Sequence, residues 1–284
     1  MTAPQVTASL PDETRVGRTA LRVADLDEQA AFYGDVVGLD VLERGDDRAT
    51  LGAGGTPLLR LTDAPDAPPR DSAATGLFHA AFRVPTRAAL GDALWRVRER
   101  WRLDGASDHR VSEALYLDDP EGNGVEIYRD YPRESWPERE DGTVGMTTEP
   151  LDLDRIASAA DGADGAPPET DVGHVHLEVA SLERAESFYG DALGFATRAT
   201  TTGACFLAAG GYHHHVGANT WEGRTARAEG RGLAWFEVVV PDGAALDAVR
   251  RRLADAGVSV EETADGIAAT DPDGVEVRLR AESA

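Results

Sequence analysis

The chain contains no lysine, a single cysteine and no long hydrophobic run. One cysteine, Cys205, cannot close an intrachain disulfide, so burial and polar pairing alone must hold the fold, as suits a reducing, cytoplasmic setting. Its expected role is that of a small buried hydrophobe in a strand. No segment approaches the roughly 18 apolar residues that span a bilayer. Met1–Asp12 lacks a basic-then-apolar signal pattern, so no membrane association is expected. Positive charge is scarce: 28 basic residues, all arginine, face 51 acidic ones, for a net charge of −23. The acids are scattered rather than run together, which makes a solvated shell that repels nucleic acid and anionic membranes. The same balance fits a protein kept soluble in high salt, and a halophilic source is the expectation.

At 284 residues, 42% of them hydrophobic, the chain can bury two ordinary cores. Self-comparison shows how they are built. Val23-Ala-Asp-Leu, followed by Phe32-Tyr-Gly-Asp and Gly38-Leu39, recurs as Val179-Ala-Ser-Leu, Phe188-Tyr-Gly-Asp and Gly194-Phe195, 156 residues later. Gly76–Pro85 lines up with Gly232–Pro241 at the same offset. Each half divides again: a strand, a helix and three short strands, closed by a turn such as Asp119-Pro-Glu-Gly-Asn-Gly124. The reading is α+β, with four βαβββ modules in two tandem domains, 14–131 and 172–281. Between them, 132–171 reads as a linker with a short helix near Asp152–Ala159 and a loose tether over Ala160–Thr170.

The stretch Gly173-His-Val-His-Leu-Glu-Val179 stands out. Strand alternation puts Val175, Leu177 and Val179 under the following helix and His174, His176 and Glu178 on the other face. The plain alternative is a solvated strand face. By the same alternation His79 lies opposite Phe78, Ala80, Phe82 and Val84, and so outside the helix-packed core. Glu126, between Val125 and Ile127, faces the same side, where a carboxylate needs a cation. In Tyr212-His-His-His215, alternation places His213 and His215 on one face and His214 on the other.

Four βαβββ modules with Val-x-Asp-Leu…Phe-Tyr…Gly-Leu openings and Asp-Pro-x-Gly-Asn-x-x-Glu closings resemble the vicinal oxygen chelate superfamily. That group holds glyoxalase I, extradiol ring-cleaving dioxygenases and bleomycin-resistance proteins. Gly105–Tyr128 and Gly210–Trp221 resemble more narrowly the two-domain, CatE-type catechol-2,3-dioxygenase group. The resemblance implies curved sheets around clefts, with metal donors on the first strand of each module and the last strand of some. Those first-strand positions are Arg18, His79, His174 and Trp235; the closing glutamate matches Glu126, and Arg278 holds that position in the fourth module. The sequence leaves the module pairing open. Only a crossed pairing, two with three, gathers His79, Glu126 and His174 into the two-histidine, one-carboxylate set used by Fe(II) oxygenases. Arginine stays protonated and cannot serve.

His215 is the expected extra ligand, and His176 or Glu178 the expected partner for a ligating histidine's second nitrogen. By resemblance, His109 is the proton shuttle and Tyr116 a donor to a ring oxygen. His213, Tyr128, Asn219 and Trp221 are candidates to line the substrate cleft. The expected activity is metal-dependent extradiol cleavage of a catechol-type vicinal diol by O2. Fe(II) is the expected metal, with Mn(II), Zn(II) or Ni(II) as alternatives. Two other readings stand beside it: a glyoxalase-type isomerase or thiol-adding metalloenzyme, and a metal-free binding protein of the resistance type. A homo-oligomer is compatible with either.

Overall fold

The computed structural model describes residues 9–140 and 143–282. The first module comprises β1 (Arg15–Val23), α1 (Leu26–Phe32), β2 (Asp40–Arg44), β3 (Arg48–Ala53) and β4 (Thr56–Asp63). The second has β5 (Gly76–Arg83), α2 (Arg87–Arg100), β6 (Gly105–Asp108), β7 (Ser112–Asp118) and β8 (Gly124–Asp130). A connecting segment holds the two-residue β9 (Glu149–Pro150) and α3 (Leu153–Ala157). The third module has β10 (Asp171–Glu178), α4 (Leu182–Ala185), β11 (Ala196–Thr201), β12 (Ala204–Ala208) and β13 (Val216–Asn219). The fourth has β14 (Gly232–Val240), α5 (Gly243–Asp255), β15 (Val260–Glu262), β16 (Ile267–Thr270) and β17 (Glu276–Ala281). No helix among the described residues is long and apolar enough to cross a membrane.

The modules pair across the halves. One sheet runs β11-β12-β13-β10-β5-β8-β7-β6-β9 and joins modules three and two; the other runs β15-β16-β17-β14-β1-β4-β3-β2 and joins four and one. At each seam the first strands of two modules lie antiparallel, β10 on β5 and β14 on β1. Within each module the first and last strands lie parallel, as in β5 with β8. The Phe-Tyr pair of each repeat now has a physical role. Tyr33 packs on Phe82 of β5, 6.1 Å between ring centroids, and its hydroxyl donates to buried Asp119 at 3.2 Å. Tyr189 repeats this with Phe236 and Asp271. In both places an aromatic residue from one sheet's module anchors the turn of the other.

That turn is built around Asp119. Its Oδ1 accepts from the backbone N–H of Glu121 and of Asn123, both at 2.9 Å, and its Oδ2 from the Asn123 amide. The turn launches β8, which carries Glu126. The connecting segment is docked rather than loose over 160–170: Ala166 N–H donates to Gly38 O and Gly162 N–H to Asp92. Gly91 allows the approach, because a Cβ there would lie 2.6 Å from Ile156 O.

Asp119→Ala strands several buried donors and is expected to cost about 2–3 kcal/mol of stability in urea unfolding, against about 1 for Tyr33→Phe.

Candidate metal centre and its cavity

Two β-bulges aim the site. Along the β10–β5 ladder Val172 faces Phe82 and His174 faces Ala81, so Gly173 is the extra residue on β10. Only glycine fits, since a Cβ would lie 1.7 Å from the Tyr128 hydroxyl. Further on, His176 faces His79 and Leu177 faces Leu77, leaving Phe78 as the extra residue on β5. A bulge breaks the strict alternation and re-aims the neighbouring side chains. Phe78 therefore lines the cavity beside His79, in place of the core position that alternation assigned it. His174 and His176 are buried, not solvated.

His79, Glu126 and His174 converge, each offering one donor atom with all three within 4.8 Å of one another. Glu126 Oε2 lies 2.9 Å from His79 Nε2 and 3.1 Å from His174 Nε2. These spacings match the edge of an octahedron around a cation with bonds near 2.1 Å, which is about 3.0 Å. His79 Nε2 is buried without a hydrogen-bond partner, an orphaned atom that a bound metal would satisfy. Burial holds His174 neutral, with its pKa lowered to about 4. Burial alone would raise the Glu126 carboxyl, but His174 and His79 facing it hold it well below its usual range. An ionised carboxylate is thus buried against imidazoles with no arginine bound to it, a charge that calls for a cation.

A cavity of about 440 Å³ opens beside these donors. His109 and Tyr116 line it. Tyr116 stands directly across the ladder from Glu126, and its hydroxyl is 2.7 Å from His109 Nε2. His109 Nδ1 is 2.6 Å from the Thr147 carbonyl, which can only accept. Neutral His109 therefore carries its proton on Nδ1 and presents Nε2 as an acceptor. Burial near Glu126 raises the Tyr116 phenol well above its ordinary pKa, keeping it a donor.

Of the proposed cleft-lining residues, Trp221 lines the cavity and Tyr128, His213 and Asn219 do not. Tyr128 shares a hydrogen bond with Tyr212, at 2.7 Å. His213 is held by Asp130 at 3.0 Å, and Asn219 Oδ1 accepts from Trp221 N–H. His215 also lies outside the donor cluster, where its Nδ1 accepts from Ala209 N–H at 3.2 Å. The expectation that it ligates is corrected for a plain reason. Residues 212–215 form a loop rather than a strand, so the alternation invoked for them does not apply. Neither His176 nor Glu178 supports His174: its Nδ1 has no hydrogen-bond partner, and Glu178 is held by Arg70 and Arg224.

His214 is the residue sequence reasoning missed. It lines the cavity, and its ring centroid is 4.0 Å from that of His174. Its Nδ1 is 2.7 Å from His213 Nδ1. With both rings neutral, His213 donates from Nε2 to Asp130 and accepts at Nδ1 from His214, which leaves His214 Nε2 as a free acceptor. Met146, Thr147 and Thr148 of the connecting segment also line the cavity.

The other sheet repeats the ladder without the donors. Arg278 stacks on Trp235 at 4.2 Å, and Arg18 binds Glu237 at 2.6 Å. Arg278 stands across from Glu237 as Glu126 stands across from Ala81, so it occupies the closing-glutamate position of the fourth module.

Burial lowers His215 to about 3 and His174 to about 4, while the unfolded chain protonates each near 6.5. The unfolded state therefore binds more protons below pH 6.5, and stability falls as pH drops from there towards 4, by about 1.4 kcal/mol per unit for each such histidine. Unfolding of metal-free protein across pH 4–7 reads this, and His215→Asn is expected to flatten the slope.

Comparison with known proteins bears on the family and the fold. The chain is 40% identical over 275 residues, 93% of its length and 96% of the relative's, to a catechol-2,3-dioxygenase of Bacillus subtilis (strain 168). Its fold matches a Bacillus subtilis protein provisionally described as a dioxygenase, with TM-score 0.66, 13% identity, and 98% and 87% of the two chains covered. It also matches glyoxalase I from Zea mays, with TM-score 0.58, 18% identity, and 94% and 92% covered. Residues 15–127 and 171–279 match the family model, and the chain belongs to the glyoxalase/bleomycin resistance protein/dioxygenase superfamily.

Proposed function

We propose that the chain is an extradiol dioxygenase that opens the ring of a catechol beside its two hydroxyls, with Fe(II) as the metal. The observation that carries this reading is the buried Glu126 carboxylate, which meets two imidazoles and no arginine at the floor of a cavity flanked by His109 and Tyr116. The 40% identical relative supports the reaction class. His79, His174 and Glu126 would hold the metal, leaving the cavity side free for ligands. Bound there, the metal would template diol and O2 and stabilise oxyanion charge. Both atoms of O2 enter the product as the ring bond next to the diol breaks, giving a carboxylic acid and an aldehyde.

The protein groups handle the protons. His109, held by Thr147 O, presents Nε2 to take a proton from a diol hydroxyl, directly or through Tyr116. Tyr116 then donates to a ring oxygen as charge builds on it. His214, on another wall of the cavity, offers a second acceptor. The glyoxalase-type alternative rests on two features: the crossed module pairing, which the sheets display, and a fourth protein ligand, for which His215 lies outside the cluster.

Protein purified without chelators is expected to bind one Fe(II) or Mn(II), with binding lost in His79→Ala, His174→Ala and Glu126→Ala. Under air with Fe(II) and catechol, oxygen uptake should accompany a yellow ring-fission product; its absence across several catechols would sink the reading. His109→Asn should retain the metal and lower kcat by about 100-fold or more.

A further inference from the structure

Histidine apart, every basic side chain in this protein is an arginine, and not one of the 28 lines the cavity beside His79 and Glu126. Three arginines near it are committed elsewhere. Arg110 is doubly bonded to Glu149, at 3.0 and 2.7 Å, and Arg224 joins Arg70 on Glu178. A different cavity of the molecule, about 420 Å³ along β1, is lined by Arg15, Arg18 and Arg280, with Asp171, Glu237 and Asp265 beside them.

One sector of the wall is apolar instead. Phe78 and Trp221 lie edge to face, 5.4 Å between centroids, and both pack near His176. Phe206 closes the sector at 5.7 Å from His176 and 5.1 Å from His214. Met146 and Val111 complete the wall, and Trp221, 49% exposed, forms its rim. The remaining polar groups are histidines, Tyr116 and hydroxyls such as those of Thr148 and Thr201, none of them a permanent cation. The space is several times what one six-membered ring fills, so a ring chelated at the donors leaves room beside it.

We propose that this cavity selects uncharged catechols bearing an apolar alkyl or aryl substituent and excludes catechols bearing a carboxylate, an assignment that rests on the ring-cleaving reading above. An apolar substituent replaces water against three aromatic rings. A carboxylate on the substituent would be desolvated in a cavity with no arginine to meet it. The net charge of −23 adds a longer-range, salt-screened repulsion of anions.

The test uses the whole chain loaded with Mn(II), titrated anaerobically in a calorimeter with catechol, 4-tert-butylcatechol, 2,3-dihydroxybiphenyl, 3,4-dihydroxybenzoate and 3,4-dihydroxyphenylacetate. The same panel is then run with Fe(II) and air to obtain kcat/KM. The substituted neutral catechols are expected to bind at least about 100-fold tighter than the carboxylated ones and several-fold tighter than catechol. Raising salt should narrow only part of the gap. Thr201→Arg, which supplies the missing cation, is expected to improve binding of the carboxylated compounds at least tenfold relative to wild type. Equal or tighter binding of carboxylated compounds, or failure to bind any neutral catechol, would overturn the proposal. Selective binding with no ring cleavage would remove the dioxygenase reading and leave the selectivity standing.

Discussion

The antiparallel seam between β5 and β10 places the two histidines of the candidate metal centre on one surface, 5.5 Å between ring centroids. Main-chain bonds fix its register, and register decides which side chains share a face. The bulges at Gly173 and Phe78 then rotate neighbouring side chains relative to a regular ladder. Glu126 arrives from β8, held parallel to β5 and started by the Asp119 turn. Three donors from three strands thus depend on one ladder, and a one-residue slip would disperse them.

The second sheet shows what the ladder alone does not decide. It carries bulges at corresponding places on β1 and β14, and it too buries a carboxylate, Glu237. That charge is met inside the protein by Arg18 at 2.6 Å and Arg280 at 3.1 Å. Glu126, equally buried, meets only imidazoles and a phenol. The two sheets answer the same electrostatic demand in different ways: guanidinium in one, and in the other a set of lone pairs suited to a metal ion.

Much of this was legible in the sequence because it depends on repetition and period. The 156-residue offset marks the modules, and the spread of His79, Glu126, His174, Arg18 and Trp235 among them favours the crossed pairing that the sheets display. What escaped depends on departures from regularity. Phe78 changes faces because it is a bulge residue. His214 and His215 were assigned by alternation in a segment that is a loop. The part played by Met146–Thr148 was hidden because a Pro- and Gly-rich connector carries no periodic signal, and only tertiary contact brings Thr147 O to His109.

Because each sheet takes one module from each half, neither half of the polypeptide is a self-sufficient body. Cut within the connector, residues 9–130 would carry His79 and Glu126 with the β5 edge unpaired, and residues 171–282 would carry His174 with the β10 edge bare. Such fragments would have to find one another, or swap partners between copies, to rebuild either cleft. The covalent tether therefore acts as a guarantee of stoichiometry, making an obligate partnership out of what would otherwise be a concentration-dependent encounter.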